Sequence, residues 1–276
     1  MQINIAYCAT NDQLEYASIS AASALMKANK DDHYVFYIIS EYFTPELQKL
    51  FLNLDRIKKS TFIFFRIPEE RLKHLKQCNA ENIGMLYRIC LPELVKREEK
   101  ILYLDTDTIV HSDLGFLYKY DITNYYLAAV EDKDEPEMRK KVRLSRDQLY
   151  INSGVLLMNL KKFREEELSE KILTHVKNSK YKNDQHSINA VCKNKILYLP
   201  LKYNVMMYPE ELPNKPEIYK KHQEEFLDAK EYPVIHHMIL KPWLGEYQYL
   251  TTSIEWMTVK ITLEELDKLY TKGPNL

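Results

Sequence analysis

The sequence predicts an α/β fold with a parallel sheet, and three observations indicate it. Apolar segments predict strands at 3–7, where apolar and other residues alternate, and at 34–39 and 61–67. A pattern of small apolar residues over 13–28 and a Thr-Pro-Glu sequence at 44–46 place helices between these strands. Strands that alternate with helices are joined by right-handed crossovers and lie parallel. Ligands bind such sheets beyond the carboxyl ends of the strands.

The composition indicates an ordinary globular protein. Its 276 residues suit one large domain, and the formal net charge of −1 gives no field that favours nucleic acid. The first five residues lack the basic and apolar regions of a signal peptide, and no apolar run reaches ~18 residues. We therefore expect a cytoplasmic protein whose membrane contact is at most peripheral at the inner face. Reduced core thiols are expected at all four cysteines, which are Cys8, Cys78, Cys90 and Cys192.

Two carboxylates, Asp105 and Asp107, interrupt an apolar run over 101–110. Burying an ionised carboxylate is costly unless it is paired or bound to a cation. If the strand stays extended, residues i and i+2 point to one face, so the two side chains repel each other unless a cation lies between them. A divalent metal with oxygen ligands answers this need. The alternative is a strand end with two solvated aspartates.

Glycine-rich phosphate loops are absent from the sequence. Neither GxGxxG nor GxxxxGK occurs, and there are only 5 glycines. Classical Rossmann dinucleotide binding and P-loop binding are therefore disfavoured, and a metal with side chains must handle any nucleotide phosphates.

The remaining pattern predicts further elements, with the charged stretch 132–148 as a solvated helix or, less favoured, a mobile lid. Gly154 interrupts one of the strands, which suggests a bend or a close approach of a ligand. Asp184 opens a helix and could be merely its N-cap. The predicted helices are 81–95, 163–178, 183–192, 217–227 and 263–270, and the predicted strands are 127–130, 150–160 and 234–237.

Several motifs in a fixed order resemble those of glycosyltransferase family 8. They are CATND after the first strand, Arg88 in a helix, YLDTDTIV, YINSGVLLMNL, NDQHSIN, LPLKYN, and a His five residues before KPW. This family contains bacterial lipopolysaccharide galactosyl- and glucosyltransferases and glycogenin, and the resemblance covers about residues 3–243. It implies a GT-A fold, which is a single Rossmann-like, mixed and mostly parallel sheet flanked by helices, with a C-terminal acceptor-side extension. We expect one domain over 1–276, with a nucleotide-binding half at about 1–130 and an acceptor-side half at about 131–276.

The resemblance implies a cofactor, Mn²⁺ (or Mg²⁺), and a UDP-sugar donor. The family's metal ligands match Asp105, Asp107 and His236, and two carboxylates with an imidazole suit Mn²⁺. Lys241 matches a lysine that adds positive charge at the pyrophosphate. From the residues alone, His236 and His237 are the end of a core strand.

Other site residues follow from the same resemblance. Contacts to the donor are implied for Ala9, Thr10, Asp12, Arg88, Thr106, Ser153 and Ile239, and catalytic positions for Asn152, Asp184, Gln185 and Asp132, the last near the acceptor. Arg88 has a structural ion pair as its alternative role. Many relatives have an acidic residue where Thr10 stands, and Ile239 occupies a position where relatives often have glycine.

Family members transfer the sugar with retention at the anomeric carbon. Retention usually proceeds through a carboxylate nucleophile, whereas the matching residue here is Gln185, an amide. Two routes stay open: a front-face substitution with the phosphate oxygen as base, and a transient adduct on Asp184 or Gln185. We favour the front-face route.

The sequence thus predicts a retaining hexosyltransferase that moves glucose or galactose from a UDP-sugar to a saccharide or glycolipid acceptor of the cell envelope. No nucleic-acid partner is expected. One alternative is a sugar-nucleotide nucleotidyltransferase, although residues 8–12 lack the glycine-rich basic loop that such an enzyme normally has. Another alternative is a non-catalytic protein that binds UDP-sugars.

Overall fold

The computed structural model describes residues 1–132, 136–206, 220, 222–238, 241–244 and 251–271. Seven strands form the central sheet: β1 Gln2–Cys8, β2 His33–Ser40, β3 Thr61–Arg66, β4 Lys100–Leu104, β6 Leu127–Val130, β7 Val155–Asn159 and β8 Ile196–Leu199. Two short strands, β5 Thr108–Val110 and β9 Ile235–His237, form a separate antiparallel ribbon.

The central sheet has the strand order β3-β2-β1-β4-β7-β6-β8. The pairs from β3 to β4 are parallel, and so is the pair β6–β8, whereas β7 is antiparallel to both of its neighbours. The mixed, mostly parallel GT-A sheet that the sequence predicted is therefore confirmed. Because β7 runs opposite to β4, the residues that precede β7 come to the carboxyl end of β4.

Helices cover both faces of the sheet. They are α1 Leu14–Lys27, α2 Pro45–Asn53, α3 Glu69–Lys76, α4 Leu91–Leu94, α5 Gly115–Tyr118, α6 Pro136–Val142, α7 Leu160–Glu165, α8 Leu168–Asn178, α9 Asp184–Cys192, α10 Gln223–Glu231 and α11 Thr251–Thr271. The predicted cap at α2 is present, since the Thr44 side chain accepts a hydrogen bond from the backbone N–H of Leu47. Among the described residues, no helix is both long and apolar enough to cross a membrane.

Alternating side chains divide the core between the two faces of the sheet. In β1, Ile3, Ile5 and Tyr7 pack into one buried cluster, whereas Ala6 and Cys8 pack into the other. This period of two is what a strand buried on both faces requires. All four cysteines are buried and free, as the sequence predicted.

Several predicted helices differ in detail from those observed. The predicted helix over 163–178 is broken between α7 and α8, because Glu167 adopts a left-handed conformation with φ of 50°. The predicted helix over 81–95 is instead a 3₁₀ helix, Ile83–Cys90, followed by α4. The C-terminal helix is longer than the predicted 263–270. The predicted helix over 217–227 lies partly outside the described residues, and its described part overlaps the beginning of α10.

Candidate active site

The two carboxylates lie in a turn at the centre of the sheet. Asp105 follows the last residue of β4, and Asp107 precedes the first residue of β5. The sequence argument that both side chains point to one face supposed an extended strand. The chain instead leaves the extended conformation between β4 and β5. The Thr108 hydroxyl donates to the carbonyl of Asp105 at 2.9 Å, which closes a turn that brings the carboxylates together.

His237, and not His236, joins the two carboxylates. The Nε2 atom of His237 lies 3.3 Å from Oδ1 of Asp107 and 3.6 Å from Oδ2 of Asp105. These three residues could together hold a metal ion, since their ligand atoms lie within 4.8 Å of one another. The side chain of His236 lies in a different cluster. The structure therefore brings His237, and not the predicted His236, to the carboxylates, because consecutive side chains of β9 point to opposite faces.

A buried amide sets the orientation of the His237 ring. The Nδ1 atom of His237 lies 3.2 Å from Oδ1 of Asn204, a fully buried side chain. With Nδ1–H donating to Asn204, the Nε2 atom that faces the carboxylates carries the lone pair that a metal needs. Asn204 lies in the LPLKYN motif, but no site role was predicted for it from the sequence.

Gly154 leaves the space that this ring occupies. A Cβ atom at Gly154 would lie 2.2 Å from Cε1 of His237 and 2.9 Å from Oδ2 of Asp105. The predicted close approach at this glycine is thus made by a protein side chain. Its backbone also holds the turn, because the carbonyl of Gly154 accepts the Asp105 N–H at 2.8 Å.

Arg88 connects the carboxylate pair to the helix α9. The guanidinium group is buried and lies 3.0 Å from Asp105 Oδ1 and 3.0 Å from Asp184 Oδ2, and it also donates to the carbonyl of Ser153. Burial alone lowers the pKa of Arg88, but the two carboxylates raise it above its ordinary value. Arg88 therefore stays charged and holds both sides of the site together.

The same contacts affect the two carboxylates differently. Burial opposes ionisation of Asp105, but Arg88, His237 and other neighbours overcome it, so the pKa of Asp105 is lowered. Burial dominates at Asp184 and raises its pKa despite Arg88. The Asp184 Oδ2 atom has no hydrogen-bond partner in the described structure, although it forms the ion pair with Arg88. Such a buried acceptor is suited to a hydroxyl group of a ligand.

A second group of side chains continues from Asn204 towards α9. The Asn204 amide donates to Asn152 Oδ1 at 2.9 Å, and Asn152 in turn reaches Asp132 at 3.4 Å. Gln185 Nε2 donates to the same Asp132 oxygen at 3.0 Å, while Gln185 Oε1 accepts the N–H of Ser153. All four predicted catalytic positions therefore lie in one connected region, since Asp184 is adjacent to Gln185 in α9. Asp184 is not the N-cap of that helix, because Asn183 accepts the capping hydrogen bond.

Two further predicted parts of the site are Lys241 and the turn that follows β1. The Lys241 ammonium contacts Asp107 Oδ2 and donates to the carbonyl of Met238 at 3.1 Å. Ala9 is buried at the carboxyl end of β1, whereas Thr10 is half-buried and Asp12 is exposed. Thr106 lies between the two carboxylates in the turn, and Ile239 lies outside the described residues.

The likeness to solved structures identifies the fold. The bifunctional glycosyltransferase WbbM matches with a TM-score of 0.80 and 18% identity, over 97% of this chain and 51% of that one. The galactosyltransferase LgtC, solved with donor and acceptor sugar analogs, matches with a TM-score of 0.73 and 21% identity, over 94% and 95% of the two chains. The fold is therefore that of the GT-A glycosyltransferases.

The family follows from the sequence match. The model of Glycosyl transferase family 8 matches residues 4–246, so the chain belongs to this family and is a glycosyltransferase. The lipopolysaccharide 1,2-glucosyltransferase of Escherichia coli K12 is 28% identical, over 87% of this chain and 72% of the relative. The lipopolysaccharide 1,3-galactosyltransferase of Salmonella typhimurium is 25% identical, over 74% and 63%. General stress protein A of Bacillus subtilis is 24% identical, over 93% and 96%.

Proposed function

We propose that this protein is a metal-dependent, retaining hexosyltransferase that uses UDP-glucose or UDP-galactose. The observation that carries the proposal is the meeting of Asp105, Asp107 and His237 at the carboxyl end of the central strands. Open α/β sheets bind their ligands at the carboxyl ends of the strands, at the point where the strand order reverses. Here that point is β1, which has β2 on one side and β4 on the other. The relatives named as glucosyl- and galactosyltransferases support a hexose as the transferred group.

The charges of the site fit a divalent cation. Four carboxylates, those of Asp105, Asp107, Asp132 and Asp184, face two cationic side chains, those of Arg88 and Lys241. The formal charge is therefore −2, since burial lowers the pKa of His237 and favours its neutral form. Two carboxylates and a neutral imidazole are suitable ligands for Mn²⁺, and Mg²⁺ is the alternative cation.

When bound, Mn²⁺ would supply Lewis-acid stabilisation of the negative charge that develops on the departing UDP. The protein itself supplies a second positive charge through Lys241, whose flexible side chain contacts Asp107 in this structure. We assign uracil and ribose to the turn formed by Ala9, Thr10 and Asp12, which follows β1 directly. Thr106 and Ser153 complete the donor contacts in this proposal.

The sugar is assigned to the space beside Asp184 and Gln185. The Oδ2 atom of Asp184 makes no hydrogen bond among the described residues besides its ion pair with Arg88, so it can accept one from a sugar hydroxyl. Arg88 holds this carboxylate in place by an ion pair. Asp132 accepts hydrogen bonds from Asn152 and Gln185, and we assign it to the acceptor side of the sugar.

The hydrogen bonds of Gln185 favour the front-face route. Both ends of its amide are engaged, one by the backbone N–H of Ser153 and the other by the Asp132 carboxylate. An amide oxygen in such contacts is a poor nucleophile, and the charge of Asp184 is already balanced by Arg88. The substrate phosphate oxygen then remains as the base for the acceptor hydroxyl.

The acceptor in this proposal is a saccharide or glycolipid of the cell envelope, as the names of the lipopolysaccharide transferases suggest. Family membership favours transfer over the nucleotidyltransferase alternative. Cytoplasmic location with at most peripheral membrane contact stays a prediction of the sequence.

Release of UDP from UDP-glucose and UDP-galactose, with and without Mn²⁺, tests the proposal. We expect turnover that depends on Mn²⁺ and is lost in Asp107→Asn. Asp121→Asn, which changes an exposed carboxylate outside the site, is the matched control and should retain turnover. Failure of Mn²⁺ to alter either UDP binding or UDP release would refute the proposed function. Tight UDP binding without any turnover would instead favour the non-catalytic binder.

A further inference from the structure

A second cluster of metal-binding side chains lies beside the first and is not used by the proposed reaction. It consists of His111, His236 and Glu255, whose ligand atoms lie within 4.8 Å of one another. The Glu255 Oε2 atom lies 3.2 Å from Nε2 of His111 and 3.2 Å from Nδ1 of His236. Two imidazoles therefore direct a ring nitrogen at the same carboxylate oxygen.

The ribbon of β5 and β9 builds this cluster on the face opposite to His237. Ile109 is the register partner of His236, and His111 follows two residues later on the same face. The ladder continues past β5, because the N–H of His111 donates to the carbonyl of Val234 at 2.8 Å. As a result, the two imidazole rings lie with their centroids 4.3 Å apart in an edge-to-face arrangement.

The third group comes from the long C-terminal helix α11. Glu255 lies one residue before Trp256, which is buried in a cluster with Ile19, Ile109 and Met238. The buried tryptophan packs α11 against the ribbon through Ile109, and this contact places the Glu255 carboxylate beside one nitrogen of each imidazole. His236 is itself almost fully buried, with 2% of its surface exposed.

One nitrogen of the cluster lacks a hydrogen bond within the described part of the chain, whereas His236 Nδ1 and Glu255 Oε2 share one at 3.2 Å. Among the described residues, His111 Nε2 is buried and makes no hydrogen bond of proper geometry, although it lies at ion-pair distance from Glu255. A buried nitrogen without a hydrogen bond is rare unless something binds it. Tetrahedral Zn²⁺ with bonds of about 2.0–2.2 Å places its ligand atoms about 3.3–3.6 Å apart, close to the two observed separations of 3.2 Å.

We propose that His111, His236 and Glu255 form a Zn²⁺ site that fastens α11 to the β5–β9 ribbon. Two imidazole nitrogens and one carboxylate suit Zn²⁺ and leave a fourth position for water. The first cluster differs because two of its three ligands are carboxylates, which are suited to harder cations such as Mn²⁺ or Mg²⁺. Since His236 and His237 are consecutive residues of β9, an ion in the second site would hold the strand that carries the ligand of the first.

Titration with Zn²⁺, and with Co²⁺ as its spectroscopic substitute, tests this site in the full chain. Four variants are compared with the wild type: His111→Ala and Glu255→Gln at the second cluster, Asp107→Asn at the first, and His33→Ala as an exposed-histidine control. We expect Asp107→Asn and His33→Ala to keep a tightly bound Zn²⁺, the visible Co²⁺ bands of a nitrogen-rich four-coordinate site, and a rise in melting temperature with Zn²⁺. His111→Ala and Glu255→Gln should lose the bands and the rise, with Zn²⁺ affinity weakened by about tenfold or more.

Glu255→Gln keeps the shape of the side chain, so it tests the site even if His111→Ala folds poorly. Wild-type Zn²⁺ affinity in both second-cluster variants would overturn the proposal. Complete loss of Zn²⁺ binding in Asp107→Asn would overturn it as well, because the ion would then belong to the first cluster. Neither result depends on UDP-sugar turnover, so a failure here is distinct from a failure of the proposed transferase function.

Discussion

Replacing Gly154 with alanine should displace His237 from the first metal cluster. The added methyl carbon would lie 2.2 Å from Cε1 and 2.6 Å from Nδ1 of the His237 ring. Non-bonded carbon atoms in contact lie about 3.5–4.0 Å apart, so the ring must retreat by more than ~1 Å. Metal sites tolerate ligand displacements of only about 0.2 Å. The substitution therefore removes the imidazole from the ligand set while leaving its chemistry intact.

Two measurements separate the metal effect from the folding effect. Overpacking of a buried position costs about 1–3 kcal/mol of the free energy of unfolding, which lowers the melting temperature by about 2–4 °C per kcal/mol. Isothermal calorimetry with Mn²⁺ should show at least about tenfold weaker binding, and Mn²⁺-dependent UDP release should fall with it.

Two further variants separate the effect of a steric clash in general from the loss of the His237 ligand. Gly115→Ala also creates a close contact, 2.6 Å from Asp113 Oδ1, but lies away from the carboxylate turn and should leave Mn²⁺ affinity unchanged. In the double variant Gly154→Ala with His237→Ala, the vacated ring space should restore part of the thermal stability but not Mn²⁺ binding, since the contact of 2.9 Å with Asp105 Oδ2 remains. If Gly154→Ala alone bound Mn²⁺ within about twofold of the wild type, the packing argument would be refuted.

Four other predictions follow from the same geometry. His237→Ala should weaken Mn²⁺ binding at the first cluster by at least about tenfold, and His236→Ala should weaken it less; equal losses by calorimetry would contradict the assignment. Asn204→Leu removes the hydrogen-bond partner of the His237 ring and should weaken Mn²⁺ binding by about 10–100-fold. An unchanged affinity would refute the orienting role of Asn204. Arg88→Lys keeps one charge but cannot bridge two carboxylates and a carbonyl, so turnover and melting temperature should both fall, whereas wild-type kinetics would show that the bridging is dispensable. Burial raises the pKa of both Cys90 and Cys192 to about 12, so a thiol reagent at pH 8 should label no cysteine rapidly in the folded protein and four after denaturation.

The sequence was sufficient for the main architecture because its patterns are strong there. Strand β6 at Leu127–Val130 has its predicted limits, and β1, β2 and β3 differ from prediction by one residue at their ends. Apart from Asn4 in β1, these strands are apolar runs bounded by polar residues, which is the pattern of strands in a parallel sheet. The break at Glu167 was missed because its left-handed backbone occurs at a residue type with no preference for it.

The sequence predicted most members of the candidate site, but not which of two adjacent histidines lies beside the carboxylates. Asp105, Asp107 and Arg88 occupy positions that motif order alone identifies, and the structure brings them together. The choice between His236 and His237 depends on which face of β9 meets the carboxylate turn, and two adjacent histidines give no sequence signal for that. Asn204 was missed because its role is a buried hydrogen bond between segments distant in the chain.

The position of β7 has a consequence for exchanging parts between relatives. This strand pairs with β4 on one side and with β6 on the other, so residues 155–159 join two strands that both precede residue 131 in the chain. A fragment that ends near residue 130 would expose the edge of β4 and leave β6 without either of its partners, and such open edges promote aggregation. A chimaera that takes its acceptor side from another family member therefore has to match β7 to the resident β4 and β6. The apolar faces of these three strands, more than the loops around the sugar, would decide whether such a hybrid folds.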